Sequence, residues 1–199
     1  MSAKCCALVW LLPLVVSEPA LAHTPIEGID NFYNGFLHPI LVPAHLLLLV
    51  SVGLFFGQQG PKKIETALGI YVLATIVGLF ATWFIVGAEM EVLILLLSAA
   101  TGVLIAINSE VKLLLCMVLA GLAGFSLGID SAQETLSGKE KFISLFGSGV
   151  AINFVLLYPM TIADYFQKKT WQKIGIRIVG SWVAASSVLV LALSFSEKG

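Results

Sequence analysis

The feature that most restricts the fold of this chain is a series of apolar runs, each about long enough to cross a lipid bilayer. A membrane-spanning helix needs about 20 predominantly apolar residues. In lipid, every such segment must satisfy its own backbone hydrogen bonds, so the runs should be helices. The sequence therefore predicts an all-α, polytopic membrane helix bundle of about six spans. We place them at about 36–57, 64–86, 92–108, 112–129, 142–163 and 174–194.

The charge content agrees with a lipid-facing surface. Only 12% of the 199 residues are charged, about half the share found in soluble domains. The cations are scattered and form no basic face, which argues against a nucleic-acid partner. We expect the lipid bilayer to be the main surroundings. Ala120, Gly124 and Gly128 recur every four residues and predict close packing of the fourth span against another helix.

The first 22 residues have the form of a secretory signal peptide. Lys4 precedes a short apolar core, and the segment ends in Ala20-Leu21-Ala22, a small-residue pattern typical of a cleavage site. Cleavage there would leave residues 23–199 as the transmembrane helical domain, with His23 at its N-terminus. The alternative is an uncleaved first membrane anchor.

The distribution of lysine and arginine predicts the orientation of the spans. An exported N-terminus places seven cations on the cytoplasmic side and three on the other, as the positive-inside rule requires. The cytoplasmic cations are Lys62, Lys63, Lys112, Lys168, Lys169, Lys173 and Arg177. We predict a multi-pass inner (plasma) membrane protein with both mature termini on the extracytoplasmic side. Acidic residues favour that side, where they either attract cations or are merely tolerated.

Two histidines near the start of the first span are the strongest candidates for chemistry. His38 and His45 are seven residues apart, which is close to two helical turns and predicts rings on one face. Ionisable residues inside a span usually face the bundle interior or a wet cavity, and imidazole is a common ligand of nickel, copper and zinc. Pro39 and Pro43 remove backbone donors beside them. The alternative is that each ring only hydrogen-bonds a neighbouring helix.

The run GFLHPILVPAHLLLLVSVGLFFGQ resembles the first span of the HupE/UreJ family, whose pattern is close to H-P-x-x-G-x-D-H. His38, Pro39 and His45 match, whereas Val42 and Ala44 stand where the family has Gly and Asp. The resemblance implies a signal peptide, about six spans and a role in hydrogenase or urease maturation as a nickel permease or nickel-supply factor. Possible partners are metalloenzyme-maturation proteins or further copies of this chain.

A second family motif, roughly H-G-x-A-H-G-x-E, corresponds to residues 127–134. Gly128 and Glu134 match, and both histidines are absent. We interpret Asp130 as a candidate oxygen ligand there, which would shift preference toward harder ions. Independently of the family, His23 could chelate a cation through its amine and its ring. The predicted metal residues are His23, His38, His45, Asp130 and Glu134.

Three hypotheses for function follow. The first is a HupE/UreJ-like protein that transports or supplies a divalent transition metal ion, with nickel favoured and no tightly bound cofactor. The second is a non-transporting assembly factor or subunit with structural histidines. The third, an intramembrane enzyme, is the weakest, because the sequence contains no nucleophile elbow, P-loop or HExxH motif. We therefore predict that the protein is not an enzyme.

Overall fold

The structure is a computed structural model that describes residues 28–85, 89–133 and 135–197. Within these ranges the chain forms seven α-helices and no strand, so the predicted all-α class is confirmed there. The helices are α1 Asn31–Leu41, α2 Pro43–Gln58, α3 Pro61–Ala81, α4 Glu91–Ala106, α5 Leu113–Ile129, α6 Gly138–Tyr165 and α7 Thr170–Glu197. The predicted signal peptide and its cleavage site lie outside the described residues.

The helices differ in their capacity to cross a membrane. By length and composition, α3, α6 and α7 are each long and apolar enough to do so. The pair α1 and α2 passes the same test as one broken span, bent by 70°, which gives up to four crossings in the described part. The shorter α4 and α5 have 16 and 17 residues, below the usual length of about 20. Helices thus occupy all six predicted segments, but the first is broken, and two others are shorter than a full crossing.

The outer surface of the bundle is apolar. Leu73 and Phe80 on α3, Phe154 on α6, and Trp182 and Leu189 on α7 are all more than 60% exposed. Soluble monomers rarely expose contiguous apolar patches on this scale. Lipid contact on these faces explains why large apolar side chains point outward.

Glycines bring the helices into close contact. α5 packs chiefly on α3, and a Cβ atom added to Gly128 would lie 2.6 Å from the carbonyl oxygen of Thr75. On the α3 side, a Cβ on Gly78 would lie 2.5 Å from the carbonyl oxygen of Phe125. Such distances leave no space for a side chain, so the two backbones touch as small-residue interfaces allow. The predicted packing role of the Gly124 and Gly128 stripe is confirmed.

Connections between helices define two ends of the bundle. At one end the side chain of Gln59 joins two loops: its amide donates to the carbonyl oxygen of Ser109 at 2.9 Å and accepts from the Val111 N–H at 3.1 Å. Lys63 donates to the Val111 carbonyl oxygen at 2.8 Å. We call this the basic end, since the seven cations predicted to be cytoplasmic all lie near it. The opposite end, where α1 begins, is the histidine end.

Candidate functional site

The break between α1 and α2 positions both histidines. Pro43 is the first residue of α2 and lacks the N–H that would continue the hydrogen-bond ladder of α1. Val42 is extended (φ −78°, ψ 113°), and its N–H bonds the carbonyl oxygen of His38 at 3.0 Å. His38 therefore belongs to the last turn of α1 and His45 to the first turn of α2. Irregular backbone at membrane depth is tolerated where protein covers it or where it lines a cavity.

The two imidazole rings come together across this break. Their centroids are 5.2 Å apart, and their planes meet at 79°, edge to face. His38 is 4% exposed and His45 is fully buried. The sequence predicted both rings on one face of a continuous helix, with His45 about 10 Å deeper than His38, whereas in the structure a 70° bend separates their helices and the rings are in contact.

Asp130 holds the ring of His45. It lies at the C-cap of α5, where its Oδ2 is 2.8 Å from Nε2 of His45. Its Oδ1 accepts a hydrogen bond from the N–H of Met90, the N-cap residue of α4, at 3.0 Å. One carboxylate thus joins α2, α4 and α5. Because buried charges are costly unless they are paired and hydrogen-bonded, this double contact is what permits an acid that is only 7% exposed.

The contact with Asp130 leaves the other ring nitrogen of His45 without a partner. Within the described residues, Nδ1 of His45 is buried and makes no hydrogen bond. An ionised carboxylate only accepts, so the hydrogen of a neutral imidazole then resides on Nε2 and a lone pair remains on Nδ1. Metal-binding histidines are commonly oriented in this way, with a carboxylate on the nitrogen that does not bind the ion.

Further polar side chains line the histidine end. Gln133, Ser131 and Ser144 are each less than 5% exposed. Ser148 on α6 donates to the carbonyl oxygen of Gly35 on α1 at 2.9 Å. The sequence interpretation did not single out this set for function, although Gln133 and Ser131 flank the predicted Asp130. These buried polar side chains lie at the same end of the bundle as the two histidines and Asp130.

Not all predicted metal residues can be placed. His23 and Glu134 lie outside the described residues. His38, His45 and Asp130 do come together at the histidine end, but among the residues that the structure describes no three His, Cys, Asp or Glu side chains form a group that could hold a metal ion. In the observed arrangement, Asp130 engages His45 and Met90 with its two oxygens.

Several helices that are long and apolar enough to cross a membrane, with an apolar outer surface, define a multi-pass membrane protein. The sequence matches the HupE / UreJ protein family over residues 10–190. The chain therefore belongs to the HupE / UreJ family, and the resemblance drawn from its first span is confirmed. Members of this family are accessory membrane proteins linked to nickel and metal accessory function.

A second, weaker similarity is to a much longer protein. NADH-quinone oxidoreductase subunit N from Mycobacterium sp. (strain JLS) is 30% identical over 155 residues, an alignment that covers 71% of this chain and 32% of that protein. The chain thus spans about a third of the length of this curated relative. Comparison with solved structures gives no match.

Proposed function

We propose that this protein transports or supplies a divalent transition metal ion, with nickel as the first candidate, across the inner membrane. The observation that carries the proposal is the fully buried ring of His45, whose Nε2 is bound by Asp130 and whose Nδ1 is left without a partner in the described chain. An imidazole held in this way is prepared to bind a cation. The link of its family to nickel and metal accessory function supports this class of cargo.

The ligands that we assign are His45 through Nδ1 and His38 beside it. Asp130 acts mainly through His45: it fixes the ring and supplies the negative charge that a buried cation requires. Two imidazoles form an incomplete coordination sphere. The remaining ligands would come from water molecules or from residues outside the described ranges, such as His23 and Glu134. Nickel and other borderline transition metals accept such a mixture of nitrogen and oxygen.

The orientation that we propose places the histidine end outside the cytoplasm, together with both mature termini. Exposed acids surround that end, among them Asp30, Glu89, Glu91 and Glu140, and their combined field would concentrate cations there. The basic end then faces the cytoplasm, as the positive-inside rule favours.

The test is nickel retention and nickel uptake by the full chain with His38→Gln or His45→Gln. Retention is measured on purified protein in detergent, and uptake of radioactive nickel on cells with equal amounts of each variant. We expect both quantities to fall by at least about tenfold, the scale of loss seen when a metal site is disturbed. Thr75→Val, which removes a buried hydroxyl bonded only to its own helix at Tyr71, should behave as the unaltered protein.

A second candidate function is a non-transporting assembly factor in which the histidines are structural. It is favoured by the contact of His45 with Asp130, which by itself joins α2 to α5, and by the lack of a three-ligand group in the described part. This reading predicts that His45→Gln lowers stability in detergent while nickel uptake stays unchanged, and that result would reject metal transport.

A further inference from the structure

A second polar cluster lies deeper in the bundle, away from the histidines. It consists of four hydroxyl groups on three helices: Ser51 on α2, Ser98 and Thr101 on α4, and Ser187 on α7. All four side chains are fully buried. The surrounding residues, such as Leu48, Leu95 and Ile105, are apolar and equally buried. We call these four residues the hydroxyl cluster.

The hydroxyl oxygens form a continuous row. Thr101 Oγ1 is 2.8 Å from Ser51 Oγ, Ser51 Oγ is 3.4 Å from Ser98 Oγ, and Ser98 Oγ is 2.8 Å from Ser187 Oγ. The row starts on α4 at Thr101, passes to Ser51 on α2, returns to α4 at Ser98 and ends on α7 at Ser187. The three helices that contribute to it are far apart in sequence, so the fold assembles it.

The row contains more lone pairs than hydrogens. Carbonyl oxygens within the same helices also lie in hydrogen-bonding range: Leu48 for Ser51 at 3.0 Å, Leu97 for Thr101 at 2.8 Å and Val183 for Ser187 at 2.8 Å. Each hydroxyl has one hydrogen and two lone pairs. Whenever a hydroxyl donates its hydrogen to a carbonyl of its own helix, one of its oxygen lone pairs is left facing the neighbouring hydroxyl. A cation bound in the row would interact favourably with these lone pairs.

Helix rise places the cluster near the middle of the bundle. A helix rises about 1.5 Å per residue, so Ser51 lies about 9 Å below His45. On α4, Ser98 lies about 12 Å below Met90, the N–H partner of Asp130. Towards the basic end, Gln59 lies about 12 Å beyond Ser51, and Arg177 about 15 Å beyond Ser187. The cluster is thus roughly halfway between the two ends.

We propose that the hydroxyl cluster is a second station for the transported cation, with neutral oxygen ligands, between the histidine site and the basic end. The inference rests on the proposed function. Transporters commonly bind their cargo near the midplane of the membrane, and the cluster lies roughly halfway between the two ends of the bundle. Four neutral oxygens without a carboxylate hold a divalent ion weakly, which suits a site that the ion must leave. Entry of the ion requires α4 and α7 to separate from α2.

The alternative is that the hydroxyl groups only join the helices. Interhelical hydrogen bonds contribute modestly to the stability of membrane bundles, so this role affects stability and leaves transport intact. Substitutions that keep the shape of a side chain but remove its hydroxyl oxygen distinguish the role of cation ligand from that of a helix-joining hydrogen bond. Thr101→Val removes the hydroxyl at nearly constant volume, whereas Thr101→Ser keeps the oxygen and removes a methyl group. Ser98→Ala removes the hydroxyl that links Ser51 to Ser187.

The test compares nickel retention by purified protein with uptake of radioactive nickel. We expect Thr101→Val and Ser98→Ala to lower the initial uptake rate by about tenfold, the effect of one lost polar contact on a barrier, with retention at the histidine site unchanged. Thr101→Ser should transport normally. The matched controls are Thr75→Val and Ser126→Ala, which remove buried hydroxyls bonded to carbonyls of their own helices.

The outcomes are distinguishable. Normal uptake by both Thr101→Val and Ser98→Ala, with uptake by the unaltered protein intact, overturns the second station and leaves the histidine site standing. Uptake lost in Thr101→Ser but kept in Thr101→Val also overturns it, because shape rather than oxygen would then matter. Absence of both retention and uptake in the unaltered protein overturns the proposed function and this inference with it.

Discussion

The sharpest test of the histidine site is the substitution Asp130→Asn. Asparagine has nearly the same shape as aspartate but offers one acceptor oxygen and one donor amide in place of two acceptor oxygens. At position 130 the two partners are the Met90 N–H and Nε2 of His45. The amide satisfies both only when its oxygen accepts from Met90 and its NH₂ group donates to Nε2. That arrangement moves the imidazole hydrogen to Nδ1 and removes the lone pair that we assign to the metal.

The expected magnitudes follow from these contacts. Because both polar contacts can re-form in Asp130→Asn, the loss of stability is limited to exchanging charge-assisted bonds for neutral ones, about 1–2 kcal/mol. The effect on the metal is larger: changing the partner of a ligating histidine typically costs about 10- to 100-fold in affinity. Asp130→Ala leaves the buried Nε2 of His45 and the half-buried Met90 N–H without this partner, which costs up to about 1–3 kcal/mol for each group.

The assay pairs nickel binding with thermal unfolding of purified protein in detergent. Asp164→Asn is the matched control, since Asp164 is exposed and lies near the basic end. Nickel affinity should fall steeply in Asp130→Asn, while its unfolding temperature falls by only a few degrees. In Asp130→Ala, nickel affinity should fall and the unfolding temperature should fall further. If Asp130→Asn binds nickel as tightly as the unaltered protein, the hydrogen on His45 does not control binding, and the assignment of Nδ1 is refuted.

A further prediction concerns the packing of α3 on α5. Gly78→Leu should destabilise the protein by about 1–3 kcal/mol, the usual cost of overpacking, because its Cβ would meet the backbone of α5 at Phe125. Gly69→Leu on the same helix, where nothing lies within 4 Å of an added Cβ, should be nearly neutral in denaturant unfolding, and equal losses at both positions would contradict this account of the α3–α5 contact.

The helical class and one packing interface could be predicted from the sequence alone. Apolar runs with short polar breaks permit only helices in lipid, and the spacing of Gly124 and Gly128 predicts a close approach that is confirmed against α3. Both features are local, so no knowledge of neighbouring segments was needed.

The arrangement of the site was only partly predictable. His38 and His45 stood out as ionisable residues in an apolar run, but the bend between them depends on Pro43 and on helices that cover the break. The contact of Asp130 with His45 joins positions 85 residues apart, and the Met90 N–H is a backbone group with no signature in the sequence. The hydroxyl cluster was missed for the same reason, because isolated Ser and Thr residues are common in membrane helices, and their convergence is a property of packing.

The two proposed stations differ in charge, and this difference gives the path a direction. At the histidine end a cation would meet two imidazoles and the carboxylate of Asp130, so binding there is the strongest. The hydroxyl cluster offers dipoles without charge, so the ion is held less tightly there. Beyond it, Lys63 and Arg177 donate to the carbonyl oxygens of Val111 and Ala106. Fixed positive charge close to those carbonyls disfavours a bound cation, so the ion would leave at the basic end rather than remain there.

Uptake along this path requires a protein that removes the free ion on the cytoplasmic side. A site that binds tightly at its entrance releases its cargo inward only when the free ion in the cytoplasm is kept scarce. A cytoplasmic metalloenzyme or metallochaperone that traps the ion would have this role.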